Sequence, residues 1–213
     1  LTRVKICGIT DVTYVKSAAK AGADLIGVVF AESPRQVTGD QAKAIAAAAR
    51  EQGLTVVGVF VNTPAAEVNR TATECGLDWV QLSGDEDTDY CRHIKKPFIK
   101  TLHVSAAWDE ARLLAELESL QRKLRHHPPV YHLDTYVEAK YGGTGQSFGW
   151  EIARRAAQLY PLIIAGGLDP EKVGRVVAGL KPWGVDVSSG VETDGVKDIK
   201  KIKAFVKAAR SAA

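Results

Sequence analysis

Short runs of β-branched and apolar residues alternate along the chain with Ala-rich stretches whose apolar positions recur at i, i+3 and i+4. Strands are predicted over 4–9, 25–30, 55–61, 79–83, 98–104, 130–135, 162–167 and 185–189. Helices are predicted over 11–21, 40–52, 64–75, 108–125, 150–159, 170–178 and 199–209, with a shorter one over 88–94. Gly22, Gly53, Gly76 and Gly179 stand where helices should stop. Thr10-Asp11 and Asp169-Pro170 carry the chemistry of helix starts, the second with proline at the first helical position. Val56-Val57-Gly58-Val59-Phe60-Val61 and Leu162-Ile163-Ile164 are apolar throughout rather than alternating. Strands buried on both faces read this way, which implies a parallel sheet covered by helices.

Eight strand–helix units in 213 residues leave about 27 residues each, workable for a closed (β/α)8 barrel of the α/β class. An open doubly wound sheet is the rival. It is disfavoured because Cys7-Gly8-Ile9-Thr10 follows the first strand, where a G-x-G-x-x-G turn would stand. No linker or composition shift divides the chain, so one domain over 1–213 is expected.

Composition narrows the function classes. With 46% hydrophobic and 25% charged residues the chain is neither disordered nor fibrous. A net charge of +3 is too small for a nucleic-acid footprint. No apolar run approaches the roughly 18 residues of a membrane span. Cys7, Cys75 and Cys91 are an odd number without a C-x-x-C pair, which argues against a disulfide framework or structural zinc. The chain opens on Leu1 rather than Met, as a trimmed chain or a segment of a longer one would. It shows no signal-peptide stretch, and the cytoplasm is the expected location.

In a barrel of this kind the chemistry sits at the C-terminal ends of the strands. Gly166-Gly167 and Ser188-Ser189-Gly190 then occupy the two loops where such barrels commonly hold phosphate, although the same glycines would also serve tight turns. Cys7 and Asp134 are placed at the rim as proton-transfer groups. The alternatives are a small buried hydrophobe for Cys7 and a turn or cap for Asp134. A thiolate base needs its pKa lowered, and Lys5, on the same strand face, could assist. Arg35 offers a fork suited to a carboxylate, or is a solvated loop residue.

The motifs resemble the phosphoribosylanthranilate isomerase family. The resemblance begins with Val4-Lys5-Ile6-Cys7-Gly8-Ile9-Thr10 and runs through Ser33-Pro34-Arg35, Val80-Gln81-Leu82, Leu133-Asp134-Thr135, Gly142-Gly143-Thr144-Gly145 and Ala165-Gly166-Gly167-Leu168. It closes with Val185-Asp186-Val187-Ser188-Ser189-Gly190-Val191-Glu192 and Gly195-Val196-Lys197-Asp198. It implies a (β/α)8 barrel that performs an Amadori rearrangement in tryptophan biosynthesis. Cys7 would be the general base, Asp134 the general acid, and Arg35 the partner of the anthranilate carboxylate. Gly142, Gly143, Gly166, Gly167, Ser189 and Gly190 would form the phosphate site and a lid, the lid spanning 136–147. The implied chemistry needs no cofactor, because the substrate nitrogen is the electron sink. The implied partner is a small phosphosugar, with no nucleic acid and no membrane. The implied assembly is a monomer or homodimer, fused in some relatives to another pathway enzyme.

The chain departs from the family at Ser83, where a histidine is common, and at Gly149, where an aspartate often precedes Trp150. Two other functions stay open: a related phosphosugar isomerase or epimerase, and a phosphate-ligand binding barrel without activity. His132 is expected to be a hydrogen-bonded interior residue, and His103, near the end of strand 5, is read as structural, with approach to the substrate as the alternative. Cys75 and Cys91 are expected to be inert. The lysines of 197–207 are expected on the wet face of the last helix. Strands 1 and 8 adjoin in a closed barrel and Lys5 and Asp186 share inward parity, so a buried ion pair between them is predicted.

Overall fold

The structure is a computed structural model, and it describes residues 1–135 and 149–213. The 136–147 lid and Gly142 and Gly143 lie outside the described residues. Eight parallel strands follow one another around a closed ring: β1 (Arg3–Cys7), β2 (Leu25–Val29), β3 (Thr55–Phe60), β4 (Trp79–Leu82), β5 (Phe98–Val104), β6 (Val130–Thr135), β7 (Leu162–Ile164) and β8 (Gly184–Val187). The ring closes through the β1–β8 register, in which Lys5 faces Asp186. The helices between them are α1 (Val12–Ala21), α2 (Gly39–Glu51), α3 (Ala65–Glu74), α4 (Thr88–Cys91), α5 (Glu110–Lys123), α6 (Arg154–Leu159) and α7 (Val173–Leu180), with α8 (Ile199–Ser211) last. Among the described residues no helix is long and apolar enough to cross a membrane.

Local chemistry explains most boundaries. Asp11 caps α1 by accepting the Thr13 N–H at 2.7 Å, and Gly22 ends it with φ 92°. Thr38 and Gln41 form a reciprocal capping box on α2. Two expectations fail. Asp169-Pro170 does not open α7: Asp169 accepts from the Glu171 and Lys172 N–H groups in a turn, and the helix starts at Val173. Gly179 does not end α7 either, because the helix runs to Leu180 and Lys181 takes the left-handed conformation (φ 47°). Gly149 provides no side-chain cap, and the following turn, Trp150–Ala153, is a 3-10 helix before α6 begins.

Each strand sends alternate residues inward, and these sort by height. Leu25, Val57, Ile99, Val130 and Ile163 make a separate apolar plug. Above it lies a buried polar layer of Lys5, Gln81, Thr101, His132 and Asp186. The rim above that is lined by Cys7, Val29, Val59, Ser83, His103, Asp134 and Ala165. The outward faces pack with the helices in one continuous core.

Candidate active site

A cleft of about 1100 Å³ opens at the C-terminal ends of the strands. Cys7 from β1 and Asp134 from β6 both line it, as do Arg35, Gly166, Gly167, Ser189 and Gly190. All the described candidates are thus brought to one cavity by the parallel direction of the strands. Gly166 and Gly167 adopt φ of 79° and 68°, which lets the chain turn sharply after β7. A Cβ on Gly190 would stand 1.9 Å from the Leu168 carbonyl oxygen, so the loops after β7 and β8 touch backbone to backbone.

Beneath the cleft the polar layer is one hydrogen-bonded chain. Lys5 Nζ donates to Asp186 Oδ2 at 2.8 Å, the predicted pair, and His132 Nε2 lies 3.0 Å from the same oxygen. A carboxylate only accepts, so the proton is on Nε2; with that tautomer Nδ1 accepts from Thr101 Oγ1 at 3.3 Å. Ser83 Oγ follows at 3.0 Å from Thr101 Oγ1, and Gln81 Nε2 donates to Ser83 Oγ at 3.0 Å. Ser83 is therefore a link in an interior network as well as part of the cleft wall. His103 from β5 lines the cleft, with Nε2 2.9 Å from the Ser83 carbonyl oxygen.

Electrostatics divide the layer sharply. Burial opposes the Asp186 charge, but Lys5 and His132 outweigh it and hold the carboxyl down to about 2. Burial also opposes the Lys5 charge, and there Asp186 and Cys7 win, raising its pKa. Cys7 goes the other way: burial pushes its thiol up, and the Lys5 ammonium offsets this only in part. Lys5 thus assists the thiolate in the direction expected from the sequence, but burial outweighs it in the free protein. Burial also raises Cys75, and Cys91 to about 11, neither of which lines the cleft. Among the described residues no group of three or more His, Cys, Asp and Glu side chains is arranged to hold a metal ion.

Two site features escaped the sequence analysis. Arg35 is clasped by Glu192, with Nε at 2.7 Å from Oε1 and Nη2 at 2.6 Å from Oε2. Lys197 is not on the wet face of α8: it is buried in a short hairpin, β9 (Glu192–Thr193) and β10 (Val196–Lys197), and reaches Glu192 Oε1 at 2.5 Å. The signal was present in Asp194-Gly195, a dipeptide suited to a two-residue hairpin turn, and both residues have positive φ.

The family model described as N-(5'phosphoribosyl)anthranilate (PRA) isomerase matches residues 4–208. An N-(5'-phosphoribosyl)anthranilate isomerase of Dehalococcoides mccartyi is 44% identical over 214 aligned positions, covering 100% of this chain and 97% of that protein. Among solved structures, monomers generated from the dimeric phosphoribosylanthranilate isomerase of Thermotoga maritima superpose with a TM-score of 0.82 at 33% identity, covering 99% of this chain and 100% of that one. A phosphoribosyl anthranilate isomerase in complex with reduced 1-(o-carboxyphenylamino)-1-deoxyribulose 5-phosphate gives 0.81 at 32% identity, with the same coverage. With nearly its whole length matched, the chain belongs to the N-(5'-phosphoribosyl)anthranilate isomerase family.

Proposed function

We propose that the protein isomerises N-(5'-phosphoribosyl)anthranilate to 1-(o-carboxyphenylamino)-1-deoxyribulose 5-phosphate, as a cytoplasmic step of tryptophan biosynthesis. The observation that carries this reading is the meeting of Cys7, Asp134, Arg35 and the two phosphate-type loops in one cleft. Protonated Asp134 gives its proton to the ribose ring oxygen; the C1–O bond breaks and the nitrogen lone pair forms a C1=N iminium. The Cys7 thiolate then takes the C2 proton, and that electron pair forms the C1=C2 bond while neutralising the nitrogen. The enolamine gains a proton at C1 and loses one from the C2 hydroxyl, leaving the ketone. Each positioned proton transfer is worth roughly 10²–10⁴-fold. Lys5 and the iminium both favour the thiolate against the burial that otherwise opposes it.

The carboxylate of the substrate sits against Arg35, and its phosphate against Gly166, Gly167, Ser189 and Gly190. A second copy of this chain is the assembly that the dimeric Thermotoga relative suggests. The test is steady-state turnover of the aminoaldose by the wild type, Cys7→Ser and Asp134→Asn. Each variant should lose at least about 100-fold in kcat, and near-normal kcat in either removes its assigned role. Equal turnover of a ribose phosphate lacking the anthranilate ring would replace this reading with a general phosphosugar isomerase.

A further inference from the structure

Arg35 reaches the cleft from the loop after β2, and its stem passes close over Gly8, where a Cβ would stand 2.5 Å from Arg35 Cδ. Among the described residues Glu192 alone accepts from its guanidinium, through Nε and Nη2. That consumes the side edge of the fork. A guanidinium has five N–H donors, so the end edge, formed by Nη1 and the second Nη2 hydrogen, still carries a pair of parallel donors. Glu192 is itself fixed: its side chain is 5% exposed, Lys197 Nζ reaches Oε1, and Lys201 Nζ donates to its carbonyl oxygen at 2.6 Å. Lys197 also donates to the Ser188 carbonyl at 2.9 Å and to Ser188 Oγ at 3.3 Å. Glu192 and Lys197 stand behind the cleft wall, whereas Arg35 and Ser188 line it.

We propose that Glu192 is a positioning residue for the substrate's aromatic carboxylate: held by Lys197, it pins Arg35 by the side edge so that the end edge is presented to that carboxylate. This rests on the function proposed above and adds the group that orients Arg35. An arginine alone must lose the freedom of a long side chain when it binds; one already clasped has lost it in the free protein. Two cations around one carboxylate leave the cluster net positive, so Glu192 orients Arg35 without cancelling its attraction for an anion.

The experiment compares Glu192→Gln with the wild type in kcat, KM for phosphoribosylanthranilate, and competitive inhibition by inorganic phosphate. KM should rise about tenfold or more, kcat should stay within about threefold, and the phosphate inhibition constant should not move, as expected when binding at one end alone is lost. A merely structural role would shift both constants together, so unchanged KM, or parallel weakening of substrate and phosphate, overturns the proposal. If thermal melting shows that Glu192→Gln does not fold, Glu192→Asp serves instead. It keeps the negative charge in the cluster but shortens its reach to the oxygen shared by Arg35 and Lys197, and the same split is expected. Absence of turnover in the wild type would count against the function proposed above; the clasp would then be judged on phosphate binding and melting alone, where any loss of phosphate binding in a folded Glu192 variant overturns it.

Discussion

Lys5 and Asp186 meet at the seam where the first strand of the barrel joins the last, their charged atoms 2.8 Å apart and both side chains buried. The pair lies directly below Cys7 on β1 and shares its carboxylate oxygen with His132 on β6. Taking two charges out of water is costly, and geometry this close is what makes the burial tolerable. The seam therefore joins barrel closure to the charge that faces the reactive thiol.

Asp186→Asn should leave the Lys5 ammonium buried without a counter-charge and destabilise the barrel by about 3–5 kcal/mol, read as a lower denaturant midpoint. The effect should depend on pH with a defined sign. Asp186 is held at about 2 against an ordinary 3.8. Its contribution is complete above the unfolded-state value and is lost as pH falls through the folded-state value. The wild-type minus variant difference should therefore shrink between about pH 4 and about pH 2. A difference that stays constant across that window contradicts the assignment.

Cys7 should titrate above an ordinary thiol in the free protein, since burial outweighs Lys5. Alkylation by iodoacetamide, followed in a Cys75→Ser/Cys91→Ser background, should show a pH midpoint higher than that of a free thiol. Lys5→Met, which removes the opposing cation, should move the midpoint higher still. A midpoint at or below the free-thiol value would show that Lys5 dominates.

Gly190→Ala should separate the loops after β7 and β8, because the added carbon meets the Leu168 carbonyl oxygen at 1.9 Å and backbone cannot rotate away. A destabilisation of about 1–3 kcal/mol is expected. Weaker competition by inorganic phosphate should accompany it. Unchanged phosphate inhibition would mean that this contact does not shape the anion site.

Lys181→Gly should stabilise the protein. Lys181 ends α7 in the left-handed conformation, where a side chain is strained and glycine is not. A gain of about 0.5–1 kcal/mol, or about 1–4 °C in Tm, is expected from thermal melting. A lower Tm would show that the side chain contributes more than the strain costs.

Much of the architecture was legible in local pattern. The continuous apolar runs of β3 and β7 announced a sheet covered on both faces, and period-2 parity was enough to pair Lys5 with Asp186. Errors came where tertiary contacts override local chemistry. Asp169-Pro170 resembles a helix start, yet the Asp169 carboxylate closes a turn with Glu171 and Lys172 and delays α7 to Val173. Lys197 resembles its helical neighbours in composition, but the hairpin turn at Asp194-Gly195 folds it back under Ser188.

The chain's order of apolar and polar positions determined the number of barrel strands, their parallel direction and hence the end at which Cys7, Asp134, Arg35 and the loops after β7 and β8 collect, because periodicity and strand polarity are properties of neighbouring residues. Only the folded ring decided the charge state facing Cys7 and the clasp on Arg35. Glu192 lies 157 positions from Arg35 along the chain, and the balance between burial and Lys5 at Cys7 exists only once water is excluded. Solvent exclusion and long-range distance are set by packing, and no local pattern carries them.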